Sequence, residues 1–223
     1  TFSDNSASAT AYLGSVNAAD GGALYNNGNL IITNKGEGGL NIKSGAKVIN
    51  TANTTINNEG LNGLNVDGDI ENGEELLIIN SGAKGFNTTG NIKSNGNIKT
   101  NNTGAAGTNL KSTGRITGQK DITINDTSAG GVNVQGIIKA EKQNITINSN
   151  GGNVTIGDNT SNNNYVDALG NINITAKDGS ILNYGVEKIL VKAGGNLTME
   201  TNNGTIGLPV QQNACTGSGC TGI

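Results

Sequence analysis

The chain has 223 residues and a formal net charge of −3, with 39 Asn, 36 Gly, 24 Thr and 13 Ser but no His, no Trp and a single Arg. No basic surface can be assembled to neutralise a row of phosphates, so a nucleic-acid partner is excluded. No long apolar run or basic amphipathic helix is present, so this segment is not expected to insert into a membrane. So much Gly and Asn would suggest disorder, but the apolar residues return at a regular interval.

In chain order, residues 1–27 fit the interval loosely. Gly14-Ser15-Val16-Asn17 and Ala23-Leu24-Tyr25 mark a degenerate first turn or cap. From residue 28 to 207 each repeat holds three short segments. The first alternates and ends in an apolar residue, usually followed by Asn: Leu30-Ile31-Ile32, Thr54-Thr55-Ile56, Leu77-Ile78-Ile79, Ile98-Lys99-Thr100, Ile122-Thr123-Ile124, Ile145-Thr146-Ile147, Ile172-Asn173-Ile174 and Leu197-Thr198-Met199. Their third residues are spaced 24, 23, 21, 24, 23, 27 and 25 apart.

The second segment is a motif of glycine, apolar, asparagine, apolar. It reads Gly39-Leu40-Asn41-Ile42, Gly63-Leu64-Asn65-Val66 and Gly131-Val132-Asn133-Val134, and more weakly Gly85-Phe86-Asn87-Thr88 and Gly107-Thr108-Asn109-Leu110. The third segment is shorter: Val48-Ile49, Ile70, Ile92, Ile116 and Ile137-Ile138, continued by Tyr165-Val166 and Gly185-Val186. A fixed period in this range denotes a solenoid. Segments of three to five residues with two-residue alternation are strands rather than helices. The Gly, Asn, Asp and Ser between them tolerate left-handed backbone and make tight corners.

The expected fold is therefore all-β: a parallel β-helix with three short strands per turn and about nine turns of 21–27 residues. It is expected to be right-handed, as crossovers between parallel strands overwhelmingly are. At a strand spacing of about 4.8 Å the rod would be roughly 40 Å long. Ile32, Ile56, Ile79, Ile124, Ile147 and Ile174 should stack as one inward column, and Leu40, Leu64, Phe86, Val132 and Val154 as another. The motif asparagines Asn41, Asn65, Asn87, Asn109 and Asn133 should point outward and bond along the axis.

Two places leave the rhythm. Asp158, Asn159, Thr160, Ser161, Asn162, Asn163 and Asn164 lengthen one corner and form a candidate contact loop. Residues 208–223 are a non-repeat tail in which Cys215 and Cys220 lie close together, a poor metal site without His. In an exported protein the two cysteines read as a small disulfide loop, with free thiols as the alternative.

Candidate chemistry is sparse. Asp67, Asp69 and Glu71 are a weak Ca²⁺ candidate within an acidic stretch that also holds Glu74 and Glu75, and a solvated corner is the simpler reading. No other metal site and no cofactor is expected. Polysaccharide-cleaving β-helices need paired carboxylates or a basic proton acceptor, with aromatic platforms for sugar rings, and two Phe, four Tyr and no His argue against an enzyme. Sequons stand at Asn53, Asn87, Asn101, Asn125, Asn144, Asn153, Asn159, Asn173, Asn196 and Asn203, candidates for glycosylation.

Gly151-Gly152-Asn153-Val154-Thr155-Ile156, the run from Gly170 to Ile181, and Gly194-Gly195-Asn196-Leu197-Thr198 resemble the filamentous-haemagglutinin and high-molecular-weight adhesin group of secreted bacterial exoproteins. Gly179-Ser180-Ile181-Leu182-Asn183-Tyr184-Gly185-Val186 is similar, more narrowly, to leukotoxin-type filamentous adhesins. The resemblance implies two-partner secretion through an outer-membrane transporter, a bacterial cell-surface or extracellular location, and contact with a host-cell receptor, glycan or neighbouring cell. In some members the sequons carry sugars. The chain, which opens on Thr1 without a signal peptide, reads as a piece of a longer polypeptide or a processed product. The expected role is a structural shaft segment of a large surface adhesin or leukotoxin. The alternatives are a module binding a glycan or receptor through its outward Asn/Thr face or the 158–164 loop and, further off, a polysaccharide-active enzyme.

Overall fold

The computed structural model describes residues 7–11, 16–18, 23–157, 165–184 and 191–207. All regular structure among them is β-strand, arranged as a parallel β-helix with three strands per turn. One strand from each turn enters each of three parallel sheets, which hold nine, nine and eight strands. Within the first 27 residues, strands Ala7–Ala11, Val16–Ala18 and Ala23–Asn26 each join one sheet. The closed apolar core runs from Leu30 to Ile181, seven turns, because the last turn leaves Leu197 and Ile206 exposed.

Strand length sets the core. First-sheet strands such as Thr54–Asn58 have five residues, with the first, third and fifth buried. Second-sheet strands such as Leu64–Val66 have three, with both ends buried. Third-sheet strands such as Lys47–Asn50 have four, with the second and fourth buried. Each turn thus needs only a handful of inward side chains, since its neighbours cover it above and below. This is how a chain with 33% hydrophobic residues fills an interior.

The register corrects one expected column. Ile78, not Ile79, lies between Ile56 and Thr100 and is buried, while Ile79 points outward beside Asn57 and Asn101. The strand is Leu76–Asn80, one residue earlier than the sequence pattern implied. Four successive apolar residues, Leu76 to Ile79, carry no alternation to mark the face, and burying Leu76 and Asn80 at the ends decides it. The outward column accordingly holds Leu77, beside Thr55. With Ile78 in place, the columns at Ile32, Ile56, Ile78, Thr100 and Ile124 step by 24, 22, 22 and 24 residues, matching the motif glycines. The column of Leu40, Leu64, Phe86, Val132 and Val154 is present, with Thr108 between Phe86 and Val132 and Ile181 following Val154. Gly185-Val186 falls outside the described residues. The third-sheet strand of that turn is Val191–Ala193.

The motif glycines are corners. Gly39, Gly63, Gly85, Gly107 and Gly131 have φ of 72°, 77°, 75°, 81° and 66°, a region costly for a residue with Cβ. Each also stacks on its neighbour: a Cβ on Gly107 would sit 2.4 Å from the Gly131 carbonyl oxygen. That oxygen accepts the Thr108 N–H at 2.9 Å. Gly is therefore required twice over, by conformation and by close approach.

Candidate functional site

The expected outward asparagine ladder forms on the second sheet. Asn65 Nδ2 donates to Asn41 Oδ1 at 2.8 Å, Asn87 to Asn65 at 3.1 Å, and Asn109 to Asn87 at 3.2 Å. Asn133 lies in register with Asn109, but its buried Oδ1 has no partner. A second outward ladder runs along the first sheet, with Asn125 donating to Asn101 and Asn148 to Asn125, both at 2.9 Å.

An inward ladder was not expected. Asn34 donates to Asn58 at 2.7 Å, Asn58 to Asn80 at 2.8 Å, Asn80 to Asn102 at 2.7 Å, and Asn102 to Asp126 Oδ2 at 2.8 Å. All five residues are buried. Asn34, Asn58 and Asn102 also close their own corner, each accepting from the N–H and donating to the C=O of the glycine two residues on. Buried amides are tolerated only when satisfied in this way. Asp126 ends the ladder by accepting four bonds, from Asn102, from the Thr108 hydroxyl at 2.7 Å, and from the Ser128 N–H and hydroxyl at 2.8 and 2.5 Å. These side chains were overlooked because asparagine after an apolar strand residue has the same letter whether it faces water or the core. The available clue was its recurrence at the fifth strand position.

The acidic corner is dispersed rather than convergent. Asp69 and Glu71 lie on the outer face on either side of buried Ile70, and both pair with Lys47, at 3.5 and 3.4 Å. The Glu71 hydrogen bond and charge, with Asp69 adding to them, hold the exposed Lys47 ammonium above the ordinary 10.5. Asp67 accepts the Thr89 hydroxyl at 2.6 Å, and Glu75 accepts Asn97 Nδ2 at 2.8 Å. Among the described residues no three His, Cys, Asp or Glu side chains converge to hold a metal ion, so Asp67, Asp69 and Glu71 are not brought together. Two shallow hollows of about 370 and 290 Å³ flank this corner and share Gly73 and Asn95.

The sequons fall into two groups. Asn87 and Asn125 spend their Nδ2 hydrogens in outward ladders, and Asn144 donates to Asp121 Oδ1 at 2.9 Å. Asn101 is the half-buried acceptor of the Asn125 bond. Asn53 donates weakly to Asn29 and caps the Glu75 N–H at 3.1 Å. Asn153, Asn173, Asn196 and Asn203 are exposed, and Asn153 engages through its Oδ1, accepting from the Ser180 N–H at 2.8 Å. Asn159, the rest of the 158–164 loop, and Cys215 and Cys220 lie outside the described residues. Among those described, no helix is long and apolar enough to cross a membrane. No protein-family model, curated protein or solved structure matches the chain.

Proposed function

We propose that this segment is part of the shaft of a large secreted bacterial surface adhesin or leukotoxin, exported through an outer-membrane transporter. It projects binding regions toward a host-cell receptor, glycan or neighbouring cell. The observation that carries the reading is continuity. Three parallel sheets run unbroken through successive turns, and the side-chain ladders run along the same axis. Bending such a rod must strain sheet hydrogen bonds and ladder amides together, a property suited to holding a distal tip away from a cell. The resemblance of the run 179–186 to leukotoxin-type filamentous adhesins supports the secreted, cell-surface setting. The role is mechanical rather than catalytic, and it calls for no cofactor.

The test is binding by the isolated segment. On a glycan array and on host cells, the purified chain should give no saturable binding. Specific binding abolished by deleting residues 158–164 would overturn the shaft reading in favour of a recognition module. Depolymerisation of a uronate polymer by the purified chain would overturn the non-catalytic part.

A further inference from the structure

The point where the inward ladder stops leaves a reactive bond. In four of the five turns it spans, all but that of Asn80, the last residue of the first-sheet strand accepts the N–H two residues on. Gly36, Gly60 and Gly104 bond Asn34, Asn58 and Asn102 at 3.3 Å, and Ser128 bonds Asp126 at 2.8 Å. The next residue in that column is Ser149, in register with Asp126. Its hydroxyl turns the other way and donates to the Gly152 carbonyl at 2.7 Å. The N–H of Gly151 is thereby left with no acceptor among the described residues, and the residue before it, Asn150, is exposed.

We propose that Asn150 is a site of spontaneous deamidation and isoaspartate formation. The Gly151 nitrogen loses its proton to solvent hydroxide and attacks Asn150 Cγ. The N–Cγ bond forms, the Cγ–Nδ2 bond breaks, and the departing nitrogen takes a proton from water and leaves as ammonia, regenerating the hydroxide. Water then opens the resulting succinimide at either carbonyl, giving aspartate or isoaspartate. Glycine permits the ring because it has no Cβ to obstruct the approach. Either product adds a negative charge, and isoaspartate also lengthens the backbone at the corner leading into strand Val154–Ile156.

Asn27–Gly28 and Asn203–Gly204 share both features, an exposed Asn and a glycine N–H without an acceptor among the described residues. They should convert like Asn150, while three other pairs are controls. At Asn62–Gly63, Asn72–Gly73 and Asn95–Gly96 the glycine N–H is committed, to Gly60 O at 3.0 Å, Asn50 O at 2.7 Å and Glu74 O at 3.0 Å. Asn62 and Asn95 are as exposed as Asn150, so accessibility does not separate them from it. The commitment of the attacking nitrogen does.

The experiment is peptide mapping by mass spectrometry after incubating the full chain at mildly alkaline pH, folded and in urea. Folded, Asn150 should convert faster than Asn62, Asn72 and Asn95. The lag of the others should be roughly two- to twelvefold, the factor one backbone hydrogen bond supplies. In urea the four rates should converge. Ser149→Asn, which restores the acceptor to the column, should slow Asn150 toward the control rate. Equal folded rates at the four sites, or a Ser149→Asn variant whose circular dichroism is unchanged but whose Asn150 rate is not slowed, would overturn the proposal.

Discussion

At the scale of single residues, the glycine corners are the least replaceable positions. Gly107→Ala must place a Cβ at φ 81° and 2.4 Å from the Gly131 carbonyl oxygen. The backbone region alone costs about 1–2 kcal/mol, and relieving the contact means parting two turns, so about 2–4 kcal/mol is expected. Urea unfolding would read it as a lower midpoint, and a loss below about 1 kcal/mol would contradict the stacking account. Lys47 is the opposite case. Its folded pKa is raised, so its contribution is fully present below the ordinary 10.5 and is lost as the pH climbs through the higher folded value. The side chain is exposed, so the contribution is small and screened by salt. Lys47→Gln should therefore lower the urea midpoint slightly near neutral pH at low ionic strength. The difference should vanish in high salt and at strongly alkaline pH. A difference that grew with pH would reverse the assigned sign.

At the scale of the strand, the decisive quantity is which face a residue takes. Ile78→Ala empties a buried position and should cost about 2–5 kcal/mol. Ile79→Ala acts on the outer face and should cost well under half of that. Similar losses at both positions would return the strand to the register inferred from its letters. That misplacement shows what the sequence does and does not encode. Alternation reveals a strand's face in Ile122-Thr123-Ile124, where one face is apolar and the other is not. In the run Leu76 to Ile79 both faces are apolar, and only the spacing of the neighbouring glycines held the answer. The outward ladder through Asn65 and Asn87 was legible because its asparagines follow a motif glycine and an inward apolar residue, Leu64 or Phe86. The inward ladder through Asn58 and Asn80 was not, because no single repeat distinguishes a satisfied buried amide from a solvated one. Asp126 was invisible for the same reason, since its burial depends on donors from Asn102 and Thr108 on other strands and from Ser128 in the corner that follows it.

For the molecule as a whole, the ladders make each turn answerable chiefly to the turns above and below it, so the turn should be the unit that can be removed. Residues 63–84 form one such unit, since Gly63 and Gly85 occupy equivalent corners and Leu64 pairs with Phe86. Deleting them joins Asn62 to Gly85 and brings Leu40 under Phe86, Asn58 under Asn102, and Asn50 under Ser94. Each pairing has a counterpart of the same chemical kind in the native stack. In a one-dimensional stack the loss is one repeat and one interface. The shortened chain should keep its β-sheet circular dichroism and unfold cooperatively, with an m-value lower by roughly a tenth in proportion to the surface removed. Deleting only residues 63–73 would instead push strand Leu76–Asn80 toward the position of a three-residue second-sheet strand. Counted from the join, its buried residues Leu76, Ile78 and Asn80 would fall at the positions of Asn65, Asp67 and Asp69, none of which faces the core, and cooperative unfolding should be lost. Equal tolerance of both deletions would mean that the turns are not locked in register. A molecule without that lock could not transmit stiffness along its axis, and the shaft reading would fall with it.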